Sequence, residues 1–555
     1  MSTILVTNLL DSGPGSLRAA ITAANGDPTI TEIRFQDGLN GSIPITFNFD
    51  TINTNVAIIG PGPFVININN ISLGSTRIFT TANNSIDVNI SGLSITNGSN
   101  VNGGGILIGQ TSQVTLTDMI IDTNRAIGNG GGIFVASNAT CNINSSVIIN
   151  NTSDNLVTGN GAGIFISPGA TVNIDGTTIT ENTAIGNGGG VAFAGALMTI
   201  TNSTISSNTA GRFGGGISTD ANGSTLNIRY STINNNSAAL IDSGDGLDNL
   251  GAILNISNST FSQNAPTRDT RFSIFNSRGG VANLINVTAH SPDNLETIVN
   301  GNTSTLNIGN SIVDVVSGTF NPTGNNYITS DEIPVDPFLG PLTNNGGPTE
   351  TMLPLASALL GTGTIEIVDS PTDQRGLSRT FDGTVDIGAV QVTSQPICYS
   401  GESLILALNT VTKKITEVKA KNIYADIHKV YDTKRKKFIP IKYNIISGPV
   451  NRYMKIAKDT IAENIPNNDL LITSGHKVVI NSIIMKARKV PGAIRIKVEP
   501  EMVYSICTEK TGIIVVNGLS VLSWSQQKWL EHSKKNSINW IDNKPKNNYA
   551  YSISL

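Results

Sequence analysis

Cysteine, histidine, aromatic residues and long apolar runs are all scarce in this chain of 555 residues. Its three cysteines cannot form the disulfide framework of a small secreted scaffold, and its four histidines lie too far apart for a zinc motif. No apolar run reaches the roughly 18 residues of a membrane span, and the first residues lack the basic and apolar regions of a secretory signal. We therefore expect a soluble protein without a cofactor, metal site or membrane span.

Lysine is absent from residues 1–397, which contain 11 arginines and 28 acidic residues and carry a net charge of −17. Residues 398–555 carry +13 and contain all 21 lysines, all three tryptophans and only 6 of the 56 glycines. This change predicts two modules joined near residue 397. We expect no nucleic-acid partner, because the acidic first module would repel nucleic acid and the lysines of the second are typical of solvated strand faces.

The first module contains an internal repeat. An apolar residue followed three positions later by asparagine recurs at spacings of 27, 31, 26, 28 and 28 residues, as Ile121/Asn124, Ile148/Asn151, Ile179/Asn182, Ile205/Asn208, Ile233/Asn236 and Phe261/Asn264. Another apolar residue lies five positions before each pair, and this odd separation requires a corner between two short strands. Coils of about 27 residues with repeated corners predict an all-β parallel β-helix, in which stacked asparagines can hydrogen-bond from coil to coil.

Both ends of this rod are expected to be capped. Residues 16–25 predict a short amphipathic helix with Ser16 as N-cap and one apolar face of Leu17, Ala20, Ile21 and Ala24. The GSLRAAITAAN opening, the glycine-led coils and the closing run from Asp336 to Val390 resemble the right-handed parallel β-helix proteins of bacterial and viral surfaces that end in a choice-of-anchor segment. We expect a cap and first coils at 1–59, about nine or ten coils at 60–320, and a C-terminal cap and linker at 321–397.

The rod offers few residues for chemistry on a polysaccharide. Its acidic residues cluster only at Asp242, Asp245 and Asp248, it has no lysine, and its single histidine is His290. Three acids in a glycine-rich stretch are typical of a solvated loop, so we interpret the rod as passive and keep glycan binding or cleavage as an alternative.

The second module predicts an all-β domain at 398–532 followed by a polar tail at 533–555. Three of its segments resemble the Hint (hedgehog/intein) family, and the lysine-, isoleucine- and asparagine-rich composition is similar to Hint proteins of large DNA viruses. CYSGESLIL starts with Cys398 and matches the C-x-x-G-x-x-L opening block, LLITSGHKVVI contains the T-x-x-H of the second block as Thr473 and His476, and VYSICTEKTGIIVVNGLSVLSW resembles the closing block with its Asn-Gly turn.

This resemblance implies a self-cleaving module. The Cys398 thiol would attack the carbonyl of Ile397 and convert the peptide bond to a thioester, while His476 protonates the departing nitrogen and Thr473 hydrogen-bonds the same amide. Water or a small nucleophile would then release the rod. Splicing is not expected, because the chain lacks the His-Asn ending of an intein.

The remaining candidates have alternative interpretations. Asp459 or Asp469 could activate the acceptor, although solvated strand-end acids account for them equally. Cys507 could assist but is expected to pack, and Cys141 is expected to be structural. We thus predict a surface or virion fibre-like protein whose β-helix is released by cleavage at Ile397-Cys398. Its candidate partners are a glycan or host-surface ligand and, in an oligomer, further copies of the same chain. The alternatives are an uncut structural or adhesive protein with an inactive Hint domain, or a carbohydrate-active β-helix.

Overall fold

The structure is a computed structural model. It describes residues 2–155, 159–220, 223–264, 272–290, 297–328, 337, 339–354, 359–380, 383–392, 399–425, 427–462, 465–473, 476–480, 483–511, 513–517, 519–525 and 541–542. Ile397 and Cys398 lie outside the described residues. The two modules are described separately below.

The first module is an all-β solenoid of about 11 turns, built from four parallel sheets that follow one another around each coil. Sheet I contains β1 Ser2–Val6, β2 Ile30–Phe35, β4 Val56–Ile59, β7 Asp87–Ser91, β11 Gln113–Thr117, β15 Thr140–Asn144, β19 Thr171–Asp175, β23 Leu197–Thr201, β27 Thr225–Arg229, β31 Ile253–Ser257, β34 Val281–Ile285, β37 Thr305–Gly309 and β40 Asn321–Thr323. Sheet II contains β3 Gly41–Ile45, β5 Ile66–Asn70, β8 Ser94–Thr96, β12 Ile120–Asp122, β16 Val147–Ile149, β20 Thr178–Thr180, β24 Thr204–Ser206, β28 Thr232–Asn234, β32 Thr260–Ser262, β35 Thr288–Ala289, β38 Ile312–Val313 and β41 Tyr327–Ile328.

The other two sheets consist of shorter strands. Sheet III contains β9 Ser99–Asn100, β13 Arg125–Ala126, β17 Thr152–Ser153, β21 Thr183–Ala184, β25 Thr209–Ala210 and β29 Ser237–Ala238. Sheet IV contains β6 Phe79–Thr80, β10 Ile106–Ile108, β14 Ile133–Val135, β18 Ile164–Ile166, β22 Val191–Phe193, β26 Ile217–Thr219, β30 Leu247–Leu250, β33 Phe272–Ser277, β36 Thr297–Asn300 and β39 Val315–Ser317. Equivalent residues of successive coils pair in register, so aliphatic side chains stack inside the coil in continuous buried columns such as Ile143, Ile174, Ile200 and Ile228.

The corner predicted between the two apolar positions of each repeat is confirmed. Asp118, Ser145, Gly176 and Asn202 each stand between a sheet I strand and a sheet II strand with φ values of 54°, 48°, 58° and 50°. Only residues that tolerate the left-handed conformation fit a corner of this kind at low cost.

The predicted asparagine ladder is also confirmed. Each side-chain amide donates from Nδ2 to Oδ1 of the next coil's asparagine, at 2.9 Å from Asn151 to Asn182 and 3.0 Å from Asn182 to Asn208. These side chains are fully buried, and it is the preceding residue of each coil, such as Asn150 or Glu181, that adopts the left-handed conformation. The asparagines are therefore selected for their amides and not for their backbone angles.

The predicted N-terminal helix is helix α1, Leu17–Gly26. Ser16 is its N-cap, because the Ser16 side chain accepts a hydrogen bond from the Ala19 amide at 3.2 Å. The predicted apolar face, including Leu17 and Ile21, is buried in the same core cluster as the coils.

The closing segment lies against the outward-facing side chains of sheet II. Gln374 is buried and donates from Nε2 to Thr232 Oγ1 at 2.9 Å, while Thr260 Oγ1 donates to Gln374 Oε1 at 2.6 Å. Arg379 is fully buried and donates to Asn286 Oδ1 at 2.9 Å and to the carbonyls of Asp386 and Gly388. One short 3-10 helix, Ile365–Ile367, belongs to this segment.

The second module is largely antiparallel. Its strands are β42 Tyr399–Ser400, β43 Leu404–Asn409, β44 Ile415–Lys419, β45 His428–Asp432, β46 Lys437–Ile456, β47 Leu470–Ile472, β48 Lys477–Ile480, β49 Ile483–Lys486, β50 Ile494–Thr508, β51 Ile513–Val516, β52 Leu519–Leu522, β53 Trp524–Ser525 and β54 Ile541–Asp542, with 3-10 helices at Ala420–Asn422 and Ala487–Lys489. Strand β54 falls in the predicted polar tail, yet it pairs with Ile445 and Ile446 of β46. That part of the tail is therefore held in the sheet.

Among the described residues of both modules, none of the helices is long and apolar enough to cross a membrane.

Candidate functional site

The strand that begins directly after Cys398 lies between two strands of the second module. Tyr399 of β42 pairs antiparallel with Ile472 of β47 on one side and with Tyr504 of β50 on the other. Ile472 is the residue before Thr473, the first member of the T-x-x-H motif. Because the two strands are antiparallel, Tyr399 at the start of β42 lies opposite Ile472 at the end of β47.

The first and last residues of the T-x-x-H segment, Thr473 and His476, are described and take part in backbone hydrogen bonds. The His476 amide donates to the Thr473 carbonyl at 3.0 Å, and the His476 carbonyl accepts from the Ala487 amide at 2.7 Å. Both side chains are buried, with 0% of Thr473 and 1% of His476 exposed. These hydrogen bonds fix the backbone of Thr473 and of His476, and Thr473 directly follows the strand that pairs with Tyr399.

The glycine of the C-x-x-G pattern has a steric reason to be glycine. A Cβ atom on Gly401 would lie 2.8 Å from Cε2 of Tyr504 and 3.3 Å from Cβ of Lys421. Only glycine therefore allows the chain leaving the seam to pass this close to the aromatic ring.

Asn517 is a residue whose importance the sequence interpretation missed. It was assigned only to an Asn-Gly turn, but its side chain is buried and contacts two distant segments. Oδ1 accepts from the Leu404 amide at 2.5 Å, and Nδ2 donates to the Asp469 carbonyl at 2.8 Å. The only signal in the sequence was its place in the closing block.

The two acids considered for acceptor activation lie at the surface. Asp469 is exposed and pairs with Lys455 Nζ at 2.6 Å, and the hydrogen bonds from Lys455 and from the Lys458 amide lower the pKa of its carboxyl. Asp459 is exposed in a left-handed turn, where its amide donates to the Pro466 carbonyl at 3.1 Å. Both positions fit the interpretation as strand-end acids.

The other two cysteines are buried in β-sheets. Cys141 stands in register with Val114 and Val172, and burial raises the pKa of its thiol to about 12. Cys507 is buried in β50, where its backbone pairs with Tyr443. Both cysteines are therefore packed side chains. A thiol in an apolar interior is a poor nucleophile, so neither is a candidate for catalysis.

The acidic cluster of the rod was predicted to be a solvated loop, and this is wrong for two of its three members. Asp242 is exposed, but Asp245 and Asp248 are 2% and 0% exposed. Asp245 occupies the place of Gly215 in the preceding coil, because the Gly216 amide donates to its carbonyl, and Oδ1 of Asp245 accepts from the Ala238 amide at 2.7 Å. The glycine-led pattern of the other coils could have revealed this position.

Asp248 lies in strand β30, opposite Ser218 of the preceding coil. Burial raises the pKa of its carboxyl to about 7, against the hydrogen bonds from Ser243 and the Gly244 amide. Oδ1 of Asp248 and Oγ of Ser218 are buried atoms without a hydrogen-bond partner in the described part of the structure. Both buried acids are thus closed off from a polysaccharide chain.

The single histidine of the rod also has a buried partner that the sequence interpretation missed. Nδ1 of His290 lies 2.7 Å from Oδ1 of Asp314, and the His290 and Asp314 amides donate to Phe261 and Ala289 in the same register. The two side chains therefore stack on adjacent coils. Their separation of 24 residues is close to one coil, and this was the available signal.

Comparison with known proteins gives a family-model match within the first module. Residues 104–312 match the family model described as the right-handed beta helix region. No curated protein matches the chain. Among solved structures, the chain is similar to an alginate lyase from Paenibacillus sp. str. FPU-7, with 12% identity, a TM-score of 0.39, and coverage of 57% of this chain and 99% of that one.

Two further solved structures are similar at the same low level. Pectate lyase Pel9A is 15% identical, with a TM-score of 0.40 and coverage of 70% of this chain and 97% of that one. Tailspike protein 2 from an Escherichia coli O157:H7 bacteriophage is 8% identical, with a TM-score of 0.35 and coverage of 95% of this chain and 69% of that one.

Proposed function

We propose that the second module cleaves the chain between Ile397 and Cys398 and thereby releases the acidic β-helix. The observation that carries this proposal is the pairing of Tyr399 with Ile472, which sets the residue after Cys398 opposite the residue before Thr473. The Hint-like order of the three sequence blocks supports the same assignment.

The first step is an N-to-S acyl shift. The thiol sulfur of Cys398 gives up its proton and forms a bond to the carbonyl carbon of Ile397. The bond from that carbon to the Cys398 nitrogen breaks, and the nitrogen takes up one proton, so the step consumes no proton overall. The nucleophile belongs to the residue next to the carbonyl, so its effective concentration is high and no external substrate has to be bound.

His476 is the proposed proton donor to the departing nitrogen, because imidazole is the side chain whose unperturbed pKa of about 6.5 suits proton transfer near neutrality. Thr473 is proposed to hydrogen-bond the scissile amide or its oxyanion. The burial of both side chains supports these roles, since an electrostatic contact acts more strongly away from water.

The second step consumes a water molecule or a small thiol. Attack on the thioester carbon breaks the C–S bond, leaves Ile397 with a new carboxylate or thioester, and leaves Cys398 with a free amine and thiol. Asp459 is retained as a candidate activator of the acceptor. Its exposed position in a turn allows access to solvent.

Mass spectrometry of the purified full chain with and without dithiothreitol tests the proposal. We expect a thiol-dependent fragment ending at Ile397, abolished by Cys398→Ala and strongly reduced by His476→Gln. The matched control is His428→Gln, since His428 is also largely buried in the module but belongs to strand β45. An intact 58.3 kDa chain under every condition would refute the proposal and leave an uncut structural or adhesive protein.

The released rod is proposed to be a surface or virion fibre component with a glycan or host-surface ligand. Glycan cleavage is the weaker assignment, because Asp245 and Asp248 are buried and only Asp242 of the acidic cluster reaches solvent. Release of uronic acids, with each of the three aspartates replaced singly by asparagine, tests it. Activity that depends on any of them would favour the carbohydrate-active alternative.

A further inference from the structure

We infer that Asn517 is a positioning residue for the cleavage, because it fastens the chain leaving the seam to the strand that precedes the T-x-x-H segment. This inference rests on the proposed function and adds to it a residue that belongs to neither the nucleophile block nor the histidine block.

The contacts on the seam side form a closed pair. Leu404 begins β43, five residues after Tyr399, and its amide donates to Asn517 Oδ1 at 2.5 Å. The Asn517 amide in turn donates to the Leu404 carbonyl at 2.7 Å. One residue therefore holds both polar backbone groups of Leu404.

The contacts on the histidine side use the other atoms of Asn517. Nδ2 donates to the carbonyl of Asp469, the residue directly before β47, at 2.8 Å. The Asn517 carbonyl accepts from the Asn467 amide at 2.9 Å. The side chain of Asn517 thus binds Leu404 and Asp469, and its backbone binds Leu404 and Asn467.

The direct connection between those segments is short. Strand β42 has two residues, and among the described residues its ladder with β47 consists of one pair, Tyr399 and Ile472. Asn517 supplies a second connection between the two segments, through Leu404 and Asp469. Only 4% of Asn517 is exposed, so this connection is buried. Two fixed points limit rotation and sliding of the strands in a way that one pair cannot.

The conformation of Asn517 explains why asparagine stands there. Its φ of 45° is left-handed, which asparagine and glycine adopt more easily than other residues. Only asparagine combines that backbone with a side chain that accepts from one segment and donates to the other. A displacement of about 1 Å at a reacting centre can reduce the rate about 100-fold.

Two variants of the full chain separate the side chain from the backbone. Asn517→Gly retains the left-handed backbone and its two backbone hydrogen bonds but removes both side-chain bonds. Asn517→Asp retains the acceptor for Leu404 but places an oxygen against the Asp469 carbonyl. The matched control is Asn409→Gly, because Asn409 caps the turn at the other end of β43 by accepting from the Val411 and Thr412 amides.

The readout is the single-turnover rate of thiol-induced cleavage at saturating dithiothreitol between pH 4 and pH 8, with circular dichroism to check the fold. We expect rates about 10- to 100-fold below wild type in both variants at pH 8 and a wild-type rate in the control. As the pH falls toward the ordinary aspartate pKa of about 3.9, the protonated carboxyl can donate to the Asp469 carbonyl. The rate of Asn517→Asp relative to Asn517→Gly is therefore expected to rise.

The outcomes distinguish the two claims. Absence of cleavage in the wild type refutes the proposed function itself. Cleavage in the wild type together with wild-type rates in folded Asn517 variants overturns only the positioning role. If Asn517→Gly does not fold, Asn517→Asp, which has nearly the same shape as wild type, is compared with wild type instead. A ratio of these two cleavage rates that does not change with pH overturns the inference.

Discussion

Replacement of Asp248 by asparagine is expected to stabilise the rod above pH 7 and to have little effect near pH 4. Asp248 is fully buried, and burial raises its carboxyl pKa from 3.8 to about 7. A raised pKa means that the folded state prefers the protonated form, so the contribution of Asp248 to the stability of the wild-type rod is fully present below pH 3.8 and is lost as the pH rises through about 7.

The expected magnitude follows from the size of that shift. A difference of about 3 pKa units corresponds to about 4 kcal/mol of folding free energy at 1.36 kcal/mol per unit. Asparagine carries no charge at any of these pH values, and its Nδ2 could donate to the Ser218 hydroxyl, which stands opposite on β26. Because the rod is long, 4 kcal/mol corresponds to about 5 °C in its melting temperature.

Differential scanning calorimetry of wild type and Asp248→Asn from pH 4 to pH 8.5 measures this difference. The difference curve isolates Asp248, because Asp386, whose pKa burial also raises to about 6, is present in both proteins. Asp242→Asn is the matched control, since Asp242 is exposed six residues before Asp248. A difference in melting temperature that does not change with pH, or a variant less stable than wild type at pH 8, would show that the carboxylate is ionised and well compensated.

Three further substitutions test other parts of the structure. Gly401→Ala should slow cleavage, because the new Cβ would meet the Tyr504 ring at 2.8 Å, and Tyr504→Ala in the same chain should restore part of the rate; an unchanged rate in Gly401→Ala contradicts the steric argument. Asn182→Leu should destabilise the rod by about 2 to 4 kcal/mol, because Asn151 and Asn208 lose their shared partner. The control Asn173→Leu, on the exposed face, should cost less than about 1 kcal/mol, and calorimetry measures both values. Arg379→Met should loosen the closing segment at a cost of about 3 to 5 kcal/mol and make Arg375 accessible to trypsin, seen as a new fragment by mass spectrometry; equal resistance in both proteins would refute the fastening role.

The coil architecture could be predicted because the same short-range spacing of residues repeats in successive coils. An odd separation of five residues forces a corner, and the same two-residue corner recurs in the coils from β7 to β38 with a left-handed residue such as Asp118 or Asn202. The asparagine ladder followed from spacing for the same reason. The left-handed residue before each ladder asparagine could not be predicted. Its residue type differs from coil to coil, and residues such as Glu181 rarely adopt this conformation.

The burial of Asp245 and Asp248 could not be predicted from local composition, because it depends on which residues of the neighbouring coils stand in register with them. Asp, Ser and Gly together are typical of a loop, but Asp248 takes its environment from Ser218 and Phe275 on the coils on either side. A residue's burial in a solenoid depends on neighbours about one coil away, and only alignment of the coils makes those neighbours visible.

In the second module, sequence resemblance identified the residue types but not the contacts that hold them. Thr473 and His476 follow from the motif, whereas the contacts of Asn517 to Leu404 and Asp469 join positions 113 and 48 residues apart. Ile397 and Cys398 lie outside the described residues, so their roles stay predictions.

The asparagine ladder has a direction. From Asn124 to Asn236, each Nδ2 donates to Oδ1 of the next coil's asparagine and also to a backbone carbonyl of the preceding coil, and Asn264 ends the series of Asn-to-Asn bonds by donating to Ser273. Aligned amide dipoles in a dry interior polarise one another, so the column resembles a single polar thread running through the shaft. Because every Asn-to-Asn bond points the same way along the rod, a coil inserted in the opposite direction could not join the series. Growth of the shaft by duplication of whole coils would preserve the thread, while any insertion confined to a corner would leave it intact.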